Sequence, residues 1–252
     1  MRRYLYTLLL ALSPLLLSAE GWCVLFVGDS ITDGGWGRSG GSMATAEERN
    51  LRDLNHLYGH SFMLFCAAEI ESRYPERGDR FHNRGISGYT LADLHARYEQ
   101  DVVALKPDLI SVLIGTNDVD RHLRNHPNEP FDVEAWERSY RDLLVRYRTT
   151  NPAMRLVLCT PFAAEAGRLR GTTNFAERTK YLAACSEVVV RLAEEFAAKL
   201  VRFDTLFEEL ATKHPSVAAE HWIWDGIHPT AAGHRLMADR WLEAVASQWN
   251  ER

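Results

Sequence analysis

The chain has 252 residues, of which 46% are hydrophobic and 25% are charged, with 9 prolines and 16 glycines. This composition excludes a disordered, collagen-like or coiled-coil protein and allows a single domain with a sizeable core. The formal net charge of −5 leaves no basic surplus for neutralising phosphates, so no nucleic-acid partner is predicted.

The N-terminal segment has the pattern of a secretory signal peptide. Two arginines follow Met1, an apolar run extends from Leu8 to Leu17, and small residues at 19 and 21 form a plausible cleavage site. The run is too short to cross a bilayer, which takes about 20 apolar residues. The sequence therefore predicts a signal over 1–21, a single domain over 22–252, a secreted or periplasmic location and no stable membrane insertion after cleavage.

Short apolar runs alternate with helical patterns along the rest of the chain. The predicted strands are 22–27, 81–84, 108–114, 155–159 and 200–203. Helical patterns cover 54–74, 90–105, 133–148, 174–199, 204–213 and 230–249, and the longer loops are 31–45, 122–130, 162–173 and 214–224. This alternation predicts an α/β protein, a three-layer α/β/α sandwich with a five-stranded parallel sheet in the flavodoxin-like order 2-1-3-4-5.

Four short motifs lie at the ends of these elements. They are GDSIT at 28–32, NRGISG at 83–88, GTND at 115–118 and DGIHP at 225–229. The first three follow strands that are neighbours in the predicted order. Such sheets bind ligands beyond the carboxyl ends of the strands, where the order reverses. The sequence therefore predicts that a serine, a glycine-rich turn and an asparagine meet in one crevice.

This ordered set of motifs resembles the four sequence blocks of the SGNH (GDSL-type) hydrolase family. The resemblance extends from Val24 to about Leu242. It implies the SGNH hydrolase fold and hydrolysis of an ester or thioester without a metal or cofactor. The arrangement differs from the G-x-S-x-G nucleophile elbow of α/β-hydrolases, because residue 32 is threonine and the acid lies three residues before the histidine.

Ser30, Asp225 and His228 are the residue types that acyl transfer requires. A serine hydroxyl is a poor nucleophile until a base takes its proton, and His228 is the candidate base. Asp225 can hold that imidazole in one tautomer and stabilise its charged form. The alternative interpretation is that Ser30 and Asp225 only cap local turns.

The tetrahedral intermediate of such a reaction needs hydrogen-bond donors for its oxyanion. The family resemblance assigns this role to the backbone N–H groups of Ser30 and Gly88 and to the side-chain amide of Asn117. Glycine suits position 88, since it allows an unusual turn and close backbone approach. Asn117 has the alternative role of capping a turn.

Asp29, Trp36, His56 and Trp224 are candidates for substrate binding. The two indole rings either stack on sugars or pack in the interior. Asp29 has the alternative role of hydrogen-bonding the loop that holds Ser30, and His56 the alternative of a solvated helical turn. No metal site is predicted, because the histidines of HLRNH at 122–126 do not form an H-E-x-x-H motif.

The four cysteines form neither a C-x-x-C pair nor a Cys/His ligand pattern, and their pairing stays open. Cys23 and Cys159 lie in predicted strands, where a free cysteine behaves as a small apolar residue. Elsewhere, His234 in the last helical pattern is predicted to face solvent or to pack against a neighbour.

The sequence thus predicts a secreted serine esterase that acts through an acyl-serine intermediate on a small-molecule or polysaccharide ester. Export and aromatic content favour removal of acetyl or other short acyl groups from carbohydrates. The alternatives are a lysophospholipase or thioesterase acting on longer chains, an acyltransferase, and a glycan-binding domain on the same fold. The oligomeric state is open.

Overall fold

The computed structural model describes residues 21–37 and 56–250. The predicted signal segment lies outside the described residues, as does most of the predicted loop 31–45. Among the helices of those two ranges, none is long and apolar enough to cross a membrane. The signal peptide and the location therefore stay predictions.

Five parallel strands form the central sheet, in the order β2-β1-β3-β4-β5. They are β1 (Cys23–Gly28), β2 (Arg80–Asn83), β3 (Leu109–Leu113), β4 (Arg155–Cys159) and β5 (Lys199–Val201). The register pairs Phe26 with Asn83 and Gly28 with Leu113, so β1, β2 and β3 end at the same edge of the sheet. The predicted flavodoxin-like sheet is confirmed.

Helices cover both faces of this sheet. They are α1 (Ser30–Asp33), α2 (Phe62–Arg73), α3 (Leu91–Ala96), α4 (Thr116–Asn125), α5 (Val133–Thr150), α6 (Phe175–Glu195), α7 (Phe203–Lys213) and α8 (Ala231–Asn250). Alternate residues of β1 enter two separate cores. Val24 and Phe26 pack with α2, α7 and α8, whereas Leu25 and Val27 pack with α3, α4, α5 and α6. This period of two is why all of β1 is apolar and buried.

Two loop predictions are wrong in part. The predicted loop 31–45 begins with a helical turn, since Ile31 to Asp33 belong to α1. The predicted loop 122–130 begins inside α4, because Val119 and Leu123, four residues apart, are both buried and anchor the helix past His122.

The predicted helix 54–74 begins only at Phe62. The chain before it contains Gly59, whose φ is +73°. A Cβ at Gly59 would lie 2.7 Å from the carbonyl oxygens of Asp33 and Gly34, so this turn packs directly against the end of α1. The helix therefore begins later in the chain than predicted, because the spacing of hydrophobic residues does not encode this close backbone contact.

All four cysteines are buried and free. Burial raises the pKa of the Cys159 thiol to about 12. The cysteines act as small apolar residues, as the sequence predicted for Cys23 and Cys159.

Candidate active site

Ser30 is the first residue of α1, immediately beyond the carboxyl end of β1. Asp29 caps this short helix, and its Oδ1 accepts the N–H of Ile31 at 2.9 Å. Gly28 has a φ of +157°, and a Cβ there would lie 2.3 Å from the carbonyl oxygen of Leu113. The tight strand-to-helix turn therefore needs glycine, and it directs Ser30 to the edge of the sheet.

A continuous chain of hydrogen bonds links Ser30 to His228 and Asp225. The Oγ of Ser30 lies 2.8 Å from Nε2 of His228. On the other side of the ring, Nδ1 lies 2.8 Å from Oδ2 of Asp225. Since a carboxylate accepts the Nδ1 proton, Nε2 is left as the acceptor for the serine hydroxyl. This tautomer allows His228 to take the proton of Ser30.

Asp225 is held by its own local turn. Its Oδ1 accepts the backbone N–H groups of Ile227 at 3.0 Å and His228 at 2.7 Å. Burial favours the neutral acid, but the hydrogen bonds from His228 and Ile227 outweigh it and hold the pKa of Asp225 below its ordinary value. The carboxylate therefore stays charged at neutral pH, where it can stabilise an imidazolium.

The predicted oxyanion donors lie on neighbouring elements. Gly88 is exposed with a φ of +85°, and a Cβ built on it would meet no atom of the described residues within 4 Å. Asn117 is the second residue of α4, and its Nδ2 donates to the carbonyl oxygen of Tyr89 at 3.0 Å. An amide nitrogen carries two hydrogens, so one remains for an oxyanion. Asn117 thus ties its helix to the loop of Gly88.

Sequence reasoning missed Asp33, which holds the loop before Gly88. Asp33 is fully buried, and its Oδ2 accepts the backbone N–H of Ser87 at 2.9 Å and the hydroxyl of Ser87 at 2.8 Å. Its Oδ1 accepts the N–H of Gly35 at 3.0 Å. The sequence feature that could have indicated this role is an acidic residue at the end of the helical turn that begins with Ser30.

Asn83, the first residue of the NRGISG motif, makes a second buried link. Its Nδ2 donates to the carbonyl oxygens of Thr32 at 2.8 Å and Tyr58 at 2.9 Å, and its Oδ1 accepts the N–H of Gly85 at 2.9 Å. This side chain joins the end of β2 to α1. The motif therefore begins with asparagine because one amide must both donate and accept.

Two of the substrate-binding candidates are interior residues and have the alternative roles that the sequence left open. Trp36 is 2% exposed, and its Nε1 donates to the carbonyl oxygen of Gly85 at 2.7 Å. Its ring also packs under the guanidinium of Arg84, 5.0 Å away. Asp29 is 1% exposed and caps α1. Both positions support the turn that carries Ser30 rather than face a ligand.

Trp224 is placed differently. It is 58% exposed, and its ring stacks on His228 with 6.3 Å between centroids. His56 is partly exposed and lies on the turn before α2, where its carbonyl oxygen accepts the N–H of Gly37. Contact of either residue with substrate stays a prediction.

His234, the second histidine near the site, packs against a neighbour instead of facing solvent. Its Nδ1 accepts the backbone N–H of Phe62 at 3.1 Å and so caps α2. Burial, assisted by the positive field of His228, lowers the pKa of His234 to about 4. His234 is therefore a neutral capping group at physiological pH.

The fold and this site define an ester hydrolase of the SGNH (GDSL) class. The chain belongs to the GDSL-like Lipase/Acylhydrolase family, whose profile matches residues 26–236. The family resemblance that the four motifs indicate is thereby confirmed.

The similar proteins include acetylxylan esterases. An acetylxylan esterase from Geobacillus stearothermophilus is 34% identical over 237 residues, covering 91% of this chain and 96% of that protein. The crystal structure of an acetylxylan esterase from that organism gives a TM-score of 0.70 at 30% identity, covering 90% of this chain and 94% of that one. Its solved catalytic mutants replace an aspartate and a serine, respectively, by alanine.

A multidomain esterase from Ruminococcus flavefaciens is 25% identical over 178 residues, which are 65% of this chain and 20% of that protein. An α/β hydrolase from the metagenome of Lake Arreo gives a TM-score of 0.72 at 29% identity, covering 90% of this chain and 96% of that one.

Proposed function

We propose that this protein is an exported esterase that removes acetyl groups from carbohydrates through an acyl-serine intermediate on Ser30. The observation that carries the proposal is the hydrogen-bonded chain from Ser30 through His228 to Asp225, with both contacts at 2.8 Å. Relatives that are acetylxylan esterases support the acyl group and the carbohydrate. Export rests on the N-terminal sequence pattern.

The proposed acylation follows from the geometry. Ser30 Oγ attacks the ester carbonyl while Nε2 of His228 takes its proton, and Asp225 stabilises the imidazolium. The oxyanion accepts hydrogen bonds from the N–H groups of Ser30 and Gly88 and from the side chain of Asn117. As the intermediate collapses, the bond to the sugar oxygen breaks and His228 gives the proton to that oxygen, which leaves as a hydroxyl.

Deacylation repeats these steps with water. His228 takes a proton from the water that attacks the acyl carbonyl, and the tetrahedral intermediate uses the same donors. When it collapses, the proton returns to Ser30 Oγ and the acid is released. The cycle is balanced without an oxidant, a reductant or a metal ion.

The exposed groups beside the site favour a short acyl group on a large alcohol. Gly88 is exposed, no described residue fills the position of a side chain there, and Trp224 presents its ring beside His228. An indole face of this kind suits the apolar face of a sugar. These features support a polymer lying across the edge of the sheet.

The test is hydrolysis of p-nitrophenyl acetate, butyrate and octanoate and of acetylated xylo-oligosaccharide. The wild type and Ser30→Ala are compared with Ser72→Ala, which changes an exposed serine of α2. We expect the acetyl substrates to be hydrolysed fastest and only Ser30→Ala to lose turnover.

Three results would contradict the proposal in different ways. Activity retained by Ser30→Ala would exclude Ser30 as the nucleophile. A preference for octanoate would favour a lysophospholipase or thioesterase over a carbohydrate esterase. Absence of turnover on every substrate would favour a glycan-binding domain.

A further inference from the structure

We propose that Arg168 shifts the acid limb of the reaction's pH profile to lower pH by competing with His228 for the carboxylate of Asp225. Arg168 is thus a positioning residue that acts through the acid. The proposal rests on the proposed function only in taking Asp225 and His228 as the acid–base pair. Its physical basis, one carboxylate oxygen between two cationic groups, can be tested without turnover.

One oxygen of Asp225 serves two partners. Oδ2 lies 2.8 Å from Nδ1 of His228 and 3.2 Å from Nε of Arg168. The other oxygen, Oδ1, is occupied by backbone N–H groups. Because a guanidinium is permanently charged, it reduces the negative potential that the carboxylate presents to the imidazole at every working pH.

The backbone around Arg168 is fixed without help from its side chain. We call residues 164–170 the acid-side strap. Ala164 donates its N–H to the carbonyl oxygen of Gly226 at 2.9 Å. A Cβ at Gly167 would lie 2.5 Å from the carbonyl oxygen of Trp224, and one at Gly226 would lie 2.7 Å from that of Ala166. Leu169 is buried in the core.

Arg168 itself contributes little packing. Its side chain is 59% exposed, so its removal leaves no cavity in the interior. Arg170, two residues further along the strap, is 58% exposed and pairs with Glu220, not with Asp225. The strap therefore carries two arginines of matching exposure, of which one contacts the acid. This pair offers a control for general charge effects.

The other charged groups near the pair do not replace Arg168. The elements around the pair contribute Glu165 and Arg170 from the strap, Glu220 and His221 from the turn at 219–221, Asp29 from the β1–α1 turn and His234 from α8. Arg170 and Glu220 offset each other's charge. Burial raises the pKa of Asp29 to about 7, so Asp29 is mostly neutral in acid, and His234 is neutral above about 4.

The direction of the effect follows from the charges. With Arg168 present, the imidazolium of His228 is stabilised less in the free enzyme, so His228 stays a neutral base to lower pH. Loss of the guanidinium removes this competition, and the imidazole protonates at higher pH. Since Nε of Arg168 and Nδ1 of His228 lie 3.2 Å and 2.8 Å from the same oxygen, they are at most about 6 Å apart. A unit charge at this distance across solvent predicts a shift on the order of half a pH unit.

The experiment compares pH profiles of kcat/KM for acetyl ester hydrolysis, which report groups of the free enzyme. The variants are Arg168→Gln, Arg168→Lys and Arg170→Gln. We expect the acid limb of the Arg168→Gln profile to move to higher pH by roughly half a unit. At a given pH on that limb, kcat/KM would then be ~3-fold lower than in the wild type. Arg168→Lys, which keeps the charge, and Arg170→Gln should stay near the wild type.

A second measurement follows the imidazole nitrogens of His228 by NMR as the pH is changed. The midpoint of this titration should rise in Arg168→Gln, and high salt should reduce the difference. An unchanged midpoint in Arg168→Gln, or an equal rise in Arg170→Gln, would overturn the proposal. If the wild type shows no esterase turnover, the proposed function fails while the NMR comparison still decides the role of Arg168.

Discussion

The two sides of the site are held in different ways. On the oxyanion side, Asp33 and Asn83 are at most 1% exposed and join α1 to the loop of Gly88 through side-chain hydrogen bonds. On the acid–base side, Asp225 and His228 lie on one local turn, and backbone contacts with the strap at Gly167 and Gly226 hold it.

Because of this difference, substitutions on the two sides should affect stability and activity to different extents. Removing a buried side chain that accepts several hydrogen bonds leaves its donors unsatisfied, so the fold and the site suffer together. A change on the acid–base turn that keeps an acceptor for the N–H groups of Ile227 and His228 leaves the backbone contacts in place. We therefore expect variants of the acid–base side to lose activity with little loss of stability, and variants at Asp33 to lose both.

The largest effect is expected for Asp225→Asn. The amide still accepts the N–H groups of Ile227 and His228, but it presents a donor to Nδ1 and favours the wrong tautomer of His228. We expect kcat to fall by ~10⁴-fold while the free energy of unfolding in urea changes by less than about 1 kcal/mol. A wild-type rate in this variant would exclude Asp225 as the partner of His228.

Asn117→Ala addresses the oxyanion donors. Loss of one preorganised donor should reduce kcat by ~10²- to 10³-fold with little change in KM. Steady-state kinetics on p-nitrophenyl acetate measures this. A loss confined to KM would instead place Asn117 in ground-state binding, and an unchanged rate would leave it as the link to Tyr89.

Asp33→Ala tests the oxyanion side, which buried side chains hold in place. The N–H groups of Ser87 and Gly35 and the hydroxyl of Ser87 lose their acceptor, which should cost about 2–4 kcal/mol of unfolding free energy. We expect kcat to fall by roughly 10- to 100-fold as the loop of Gly88 loosens. The matched control is Ser87→Ala, which removes the hydroxyl and keeps the backbone contact. If Asp33→Ala lost activity without losing stability, the distinction between the two sides would be wrong.

At Asp29 the expected effect is on the pH dependence of stability rather than on activity. Burial raises the pKa of Asp29 from 3.8 to about 7. Between these values the folded protein binds more protons than the unfolded chain, so this group lowers stability as the pH rises from about 4 to about 7. Asp29→Asn removes that dependence. Because the pKa of Asp29 is raised by about three units, the stability of Asp29→Asn relative to the wild type should increase across this window by on the order of 4 kcal/mol. Parallel stability curves from urea unfolding would contradict the raised pKa.

The sheet and the four motifs could be predicted from the sequence because both depend on local patterns. Continuous apolar runs marked β1, β3 and β4, and the strand order placed three motifs at one edge. The pairing within the DGIHP motif could be predicted as well, since Asp225 and His228 interact within one turn. Such signals need no knowledge of distant contacts.

The residues whose roles the sequence left open or did not indicate depend on contacts between distant segments. Trp36 is interior because the carbonyl oxygen of Gly85 lies within reach of its indole, 49 residues away. Arg168 contacts an acid 57 positions further along the chain, and His234 caps a helix that begins 172 residues earlier. No periodicity or motif in the sequence reports such pairs, so these roles become visible only in the folded structure.

Covalent labelling tests most directly whether Ser30 is the nucleophile. The wild type and Ser30→Ala are incubated with an organophosphate ester, digested and analysed by peptide mass spectrometry. We expect one adduct per wild-type chain, located on Ser30, together with complete loss of turnover, and no adduct on Ser30→Ala. Inactivation with the adduct on another residue would contradict the assignment of Ser30, as would full labelling of Ser30 with turnover intact.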